Sequence, residues 1–239
     1  MKMNVKYLML VGLLIFISCA DDEDDFPMAA SLKIVNAVVD AGTLEVKDFD
    51  GNLTFFGSRT IGFGSNVRFT LPINSSRDII IVQAEDTLNT LLNEPIVLDE
   101  AGGIYSLFLT GDASNVETML IRDEYLNYQD SLVGLRFINL SPGSLPISVG
   151  IMGETENLVS GLEYRNVSDF NQLDATTNSV PYTFEFKDSD GNVLITKTID
   201  PLPPFGTKSV FQNLTLVMIG LPNLSGGSDN LSIAVINHF

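Results

Sequence analysis

The chain has 239 residues with 30 acidic against 13 basic side chains, a formal net charge of −17 at neutral pH. A surface this acidic repels nucleic acid and anionic lipid headgroups, which excludes both as partners. With one cysteine, Cys19, and one histidine, His238, neither a zinc site of the usual His/Cys kind nor a histidine-based serine or cysteine triad can be assembled, and no cofactor or metal is expected.

The chain opens Met-Lys-Met-Asn-Val-Lys and then runs apolar from Tyr7 to Ile17, eleven residues that are too few to span a bilayer as a helix and that suit a secretory signal. The segment ends Phe16-Ile17-Ser18-Cys19. This resembles the recognition sequence of bacterial lipoproteins. The resemblance implies that residues 1–18 are removed, that the Cys19 thiol receives a diacylglycerol and that the new amine is acylated too. Two or more chains hold a protein on a membrane stably, each buried methylene contributing about 0.8 kcal/mol. Directly behind Cys19 stand Asp21, Asp22, Glu23, Asp24 and Asp25. Such a run repels itself and cannot form a core, so residues 19–31 read as a solvated tether. It also resembles the signal by which some Gram-negative bacteria export lipoproteins to the outer face of the outer membrane. That resemblance implies a lipid-anchored protein on the cell surface.

From Ser31 onward no helical period stands out, whereas period-two alternation recurs. Val67, Phe69 and Leu71 alternate with polar residues in Asn66–Leu71, and Tyr182, Phe184 and Phe186 do so in Tyr182–Lys187. The runs from Ile104 to Gly111 and from Leu214 to Gly220 are continuously apolar, as central strands of a two-layer sandwich should be. An all-β chain is expected.

These strands repeat. Leu32–Val46 matches Leu135–Val149 without a gap, pairing Leu32 with Leu135, Lys33 with Arg136 and Asn36 with Asn139. The stretch from Ile61 then matches that from Leu162, with Phe63 on Tyr164; Tyr105–Gly111 matches Leu214–Gly220; and Glu117–Tyr125 matches Leu231–Phe239, with Tyr125 on Phe239. The expected organisation is a first β-sandwich domain over 32–126, a linker over 127–133 and a second β-sandwich domain over 134–239. The order of motifs resembles a family of bacterial envelope domains, the domain of unknown function numbered four-three-nine-seven. That likeness implies two tandem immunoglobulin-like β-sandwich domains behind a lipoprotein signal. Its motifs are structural and carry no catalytic residue across.

Few residues suggest chemistry. Lys47-Asp-Phe-Asp-Gly-Asn52 and Lys187-Asp-Ser-Asp-Gly-Asn192 look like half of a calcium loop, but the twelfth positions are Arg59 and Ile199 rather than an acid, and Asp-Gly between strands makes a tight hairpin. Tyr125 and Tyr128 sit among charges at the domain junction, where exposed aromatics can stack on a sugar or anchor a protein partner. Their plainer roles are closure of the first core and packing between domains. The sequence therefore points to a non-enzymatic, surface-anchored binding or adhesion module for an extracellular glycan or protein. An architectural spacer of an envelope assembly is the first alternative, and a carboxylate-dependent glycan hydrolase the second.

Overall fold

The structure, a computed structural model, describes residues 28–48, 60–128, 130–175, 181–199, 212–222 and 229–238. Cys19, the acidic run Asp21–Asp25, Phe239 and most of the first Asp-Gly motif lie outside these.

The described chain is all-β, in two tandem immunoglobulin-like β-sandwiches of identical strand order. The first pairs one sheet of β4 (Asn66–Pro72), β1 (Ala29–Asn36), β7 (Ile104–Asp112) and β8 (Asn115–Arg122) with another of β3 (Thr60–Ile61), β2 (Leu44–Asp48), β5 (Arg77–Gln83) and β6 (Asp86–Ile96). The second repeats this plan. One sheet is β12 (Asn171–Asp174), β9 (Leu132–Leu140), β15 (Asn213–Ile219) and β16 (Ser232–His238), and the other β11 (Asn157–Leu162), β10 (Ile147–Ile151), β13 (Tyr182–Lys187) and β14 (Val193–Ile199). The central pairs β1·β7 and β9·β15 are parallel, in registers that set Leu32 opposite Tyr105 and Leu135 opposite Leu214. Strand β9 starts at Leu132, within the segment expected as linker.

The matched asparagines explain why their residue type recurs. Asn36 Nδ2 donates to the carbonyl of Ile61 at 3.0 Å, and Asn139 Nδ2 to that of Leu162 at 3.2 Å. Each side-chain oxygen then accepts the N–H two residues on, from Val38 and from Ser141. A buried amide satisfied on both sides fixes the same crossover in each sandwich. Gly111 and Gly220 are equivalent as well, with φ of 82° and 85°. A Cβ on either would run into a backbone carbonyl of the returning strand, Asn115 or Asn230.

One detail of the sequence alignment is corrected. The ladders set Tyr105 opposite Arg122 and Leu214 opposite Asn237, so Asp123 corresponds to His238, and the pairing of Tyr125 with Phe239 is out of step. The second Asp-Gly motif is the hairpin between β13 and β14. Asp188 accepts the N–H groups of Asp190 and Asn192 and the Asn192 amide, which lowers its pKa through those bonds, and Gly191 takes φ 85°.

Alternation sends Leu32, Ile34, Tyr105, Leu107 and Leu109 into the first core, and Leu135, Phe137, Leu214, Leu216 and Met218 into the second. The intervening residues form a third apolar cluster, in which Val35 and Phe108 of the first sandwich meet Ile138, Val217, Ile219 and Ile236 of the second. The outer faces of the β1 and β9 sheets are thus stacked on each other. This is why the β7 and β15 sequences are apolar throughout: their strands are covered on both faces. Complete burial of each of these large side chains stabilises the joint by about 1.5–3 kcal/mol.

Candidate functional site

At one end of this joint the apolar layer gives way to a buried polar seam built from equivalent positions of the two repeats. Register places Lys33 beside Ser106 on the first sheet and Arg136 beside Thr215 on the second. The residues that continue β8 and close β16 supply Asp123 and His238. Lys33, Asp123, Arg136 and His238 are all between 2% and 7% exposed.

Their bonds follow a pseudo-two-fold. Within the first sandwich Ser106 Oγ donates to Asp123 Oδ2 at 2.6 Å, and within the second Thr215 Oγ1 lies 2.7 Å from His238 Nε2. Across the seam Arg136 forms an ion pair with Asp123. In the mirrored contact Lys33 Nζ donates to the carbonyl of Asn237 at 2.6 Å and stands 3.5 Å from His238 Nδ1. Arg136 Nε also donates to Thr215 Oγ1 at 2.8 Å.

The Tyr125 hydroxyl stands 3.0 Å from Nδ1 and the Thr215 hydroxyl 2.7 Å from Nε2, so neither ring nitrogen of His238 is left without a partner. Burial pushes its pKa down to about 2, and the charges of Lys33, Arg136 and Arg68 push the same way. The 3.9 Å separation of His238 Nδ1 from Asp123 Oδ2 is therefore not an ion pair. Burial first, then the Arg68 charge, lowers Lys33 to about 8, while burial and the Asp123 charge raise Tyr125.

Both tyrosines singled out from sequence lie in this seam and are half-buried. The Tyr125 ring packs 5.2 Å from that of His238. Tyr128 donates to Asn213 Oδ1 at 2.8 Å and lies over Gly134, where a Cβ would collide with it. Asn213 in turn donates to the Leu126 carbonyl at 2.9 Å. The hydroxyls of both tyrosines are thus engaged across the joint. Beside them opens a cavity of about 400 Å³, walled by Arg122, Leu126, Arg136 and Phe170 among others, with the Arg136 guanidinium 4.9 Å from the Phe170 ring.

Further along, a second set of bonds ties the same two sandwiches. Tyr164 donates to Glu117 Oε2 at 2.8 Å, Arg165 reaches the Thr118 carbonyl at 2.8 Å, and Thr110 donates to the Leu140 carbonyl at 3.2 Å. The repeat pairs Lys33 with Arg136, but the sequence gives neither of them, nor His238, a role. The available signal was a cation at the same place in two apolar strands. Lys33, Asp123, Arg136 and His238 all find their partners within the seam, so its chemistry is that of a fastening. Among the described residues no three His, Cys, Asp or Glu side chains are grouped to hold a metal ion.

No protein-family model matches the chain, and no curated protein matches it. Among solved structures it is similar to CBMbc, a family CBM26 module from Eubacterium rectale Amy13K in complex with maltoheptaose, at 10% identity and a TM-score of 0.29, over 89% of this chain and 98% of that one. It is also similar to a protein from Bacteroides ovatus proposed to be an adhesin, at 12% identity and a TM-score of 0.24, over 92% and 98%. At such scores neither likeness bears on function.

Proposed function

We propose that the protein is a lipid-anchored lipoprotein of a Gram-negative outer membrane, displayed on the cell surface, whose paired sandwiches form a non-enzymatic binding or adhesion module for an extracellular glycan or protein. The reading places it with the envelope domains of the family numbered four-three-nine-seven. One juxtaposition carries it: the lipoprotein-like Phe16-Ile17-Ser18-Cys19 is followed at once by Asp21–Asp25, and the first strand starts at Ala29. About ten residues separate the acylated cysteine from β1, a leash of at most about 35 Å when extended. The seam supports the second half of the reading, because a doubly fastened pair presents its outer faces at a fixed mutual angle. The same rigidity favours an architectural spacer as the second reading.

Protease shaving of intact cells tests the placement, comparing the wild type with a variant in which Asp21–Asp25 are replaced by Ser, Asn and Gly. The wild type should be cut and the variant protected. Protection of both, with a periplasmic control intact, would contradict surface display and leave the spacer as the better reading.

A further inference from the structure

Where the first sandwich's opening turn meets the second sandwich, a cavity of about 600 Å³ is walled by Asp40, Thr43, Gln83, Glu85, Asp86 and Asp229 among others. Four of these are carboxylates, and among the described residues that line it there is no lysine or arginine. They come from separate places in the fold. Asp40 follows β1 in a left-handed turn with φ 58°, Glu85 lies in the turn between β5 and β6, Asp86 opens β6, and Asp229 precedes β16 of the other sandwich. Asp229 is only 8% exposed. Its Oδ2 accepts the Asp40 N–H at 3.2 Å, a bond between the two sandwiches, whereas its Oδ1 is buried and has no hydrogen-bond partner. A buried carboxylate oxygen without a donor is costly, and among the described residues Asp229 Oδ1 is the one carboxylate oxygen so placed, which marks a place where a donor arrives from outside.

The chemistry of that donor follows from the walls. Four carboxylates in a concave site focus a negative potential and attract a cation. No three of them converge as metal ligands, and the cavity has the volume of a small organic group rather than of a single ion. The one unpaired carboxylate oxygen of a lining residue suits a single N–H donor, and the other three carboxylates suit the remaining N–H groups of a primary ammonium. We infer that this cavity is a binding site for a primary alkylammonium group, with Asp229 as its anchor and Asp40, Glu85 and Asp86 as its electrostatic rim. The source of that group is either a lysine side chain of a partner polypeptide or a free aliphatic amine. Binding here is a property of the folded sandwiches and is independent of where the protein is displayed.

The experiment is titration of the soluble chain, begun after Cys19, with a fluorescent tri-lysine peptide and separately with cadaverine, at physiological ionic strength. Asp229→Asn retains an oxygen to accept the Asp40 N–H but removes the charged anchor. Glu156→Gln, an exposed position of the second sandwich, makes the same change in net charge and controls for diffuse attraction. Asp229→Asn should weaken binding at least about tenfold and Glu156→Gln hardly at all. Glu85→Gln, exposed at the mouth and harmless to folding, should weaken it a few-fold. Saturation by cadaverine assigns the site to free amines, and saturation by the peptide alone assigns it to a lysine-bearing partner. Equal loss in Asp229→Asn and Glu156→Gln, or Asp229-dependent binding of calcium in place of both amines, would overturn the assignment.

Discussion

Lys33 and Arg136 hold the same position in the two sandwiches, and each reaches across the seam to the position that ends the other's last strand. Lys33 meets the Asn237 carbonyl and His238, and Arg136 meets Asp123. The contact is isologous within a single chain, because position i of one repeat touches position j of the other and the reverse also holds. It converts two sandwiches, each with its own core, into one unit.

The ion pair between Arg136 and Asp123 has side chains only 5% and 0% exposed, so removing one partner leaves the other charge buried. Asp123→Ala should cost about 3–5 kcal/mol, read as a lowered urea midpoint. Replacing both, as Asp123→Leu with Arg136→Met, should recover at least half of that loss, since the pair's desolvation cost disappears with it. A single-variant loss below about 1 kcal/mol would show that the pair is open to water.

Lys33 gives the seam a dependence on alkaline pH. Its folded pKa is about 8 against 10.5 ordinarily, so between these values the unfolded chain holds a proton that the folded chain has released. Stability from this group therefore rises as pH climbs through that window. Tyr125, raised by burial, acts oppositely, but only above the unfolded tyrosine value of about 10. Between pH 7.5 and 9.5 the urea midpoint of the wild type should rise relative to that of Lys33→Met. Parallel curves would mean that Lys33 is solvated in the native state. Arg68, Asp123, Arg136 and His238 are the charged or titratable groups facing it and are common to both proteins.

Much of this fold is legible in the sequence, and the reasons are local. Asn36 and Asn139 recur because each must hold the same carbonyl, and Gly111 and Gly220 recur because no other residue fits a left-handed turn against a carbonyl. The last strand slipped by one residue because Met119-Leu120-Ile121 and Ile233-Ala234-Val235-Ile236 are unbroken apolar runs, with no polar alternation to fix their phase. The seam was not legible. Its partners lie far apart in the chain, 113 residues for Tyr125 and His238 and 205 for Lys33 and His238, and the equivalent residues Asp123 and His238 share no chemical type. Tyr125 and Tyr128 stand out as aromatics at a junction, but which surface they face depends on how the two sheets stack.

The most direct test of the sealed joint uses the chain's single histidine, whose ring carbon protons give one assignable pair of NMR signals. Its folded pKa is lowered to about 2, so from the ordinary value of 6.5 downward the unfolded chain takes up a proton that the folded chain refuses, and stability falls as pH falls through that window. In the folded protein the His238 signals should hold their shifts from pH 7.5 to 4.5 and move only when the chain unfolds. A titration with a midpoint near 6.5 in the folded protein would show that the imidazole is in water, and that the two sandwiches are not fastened through it.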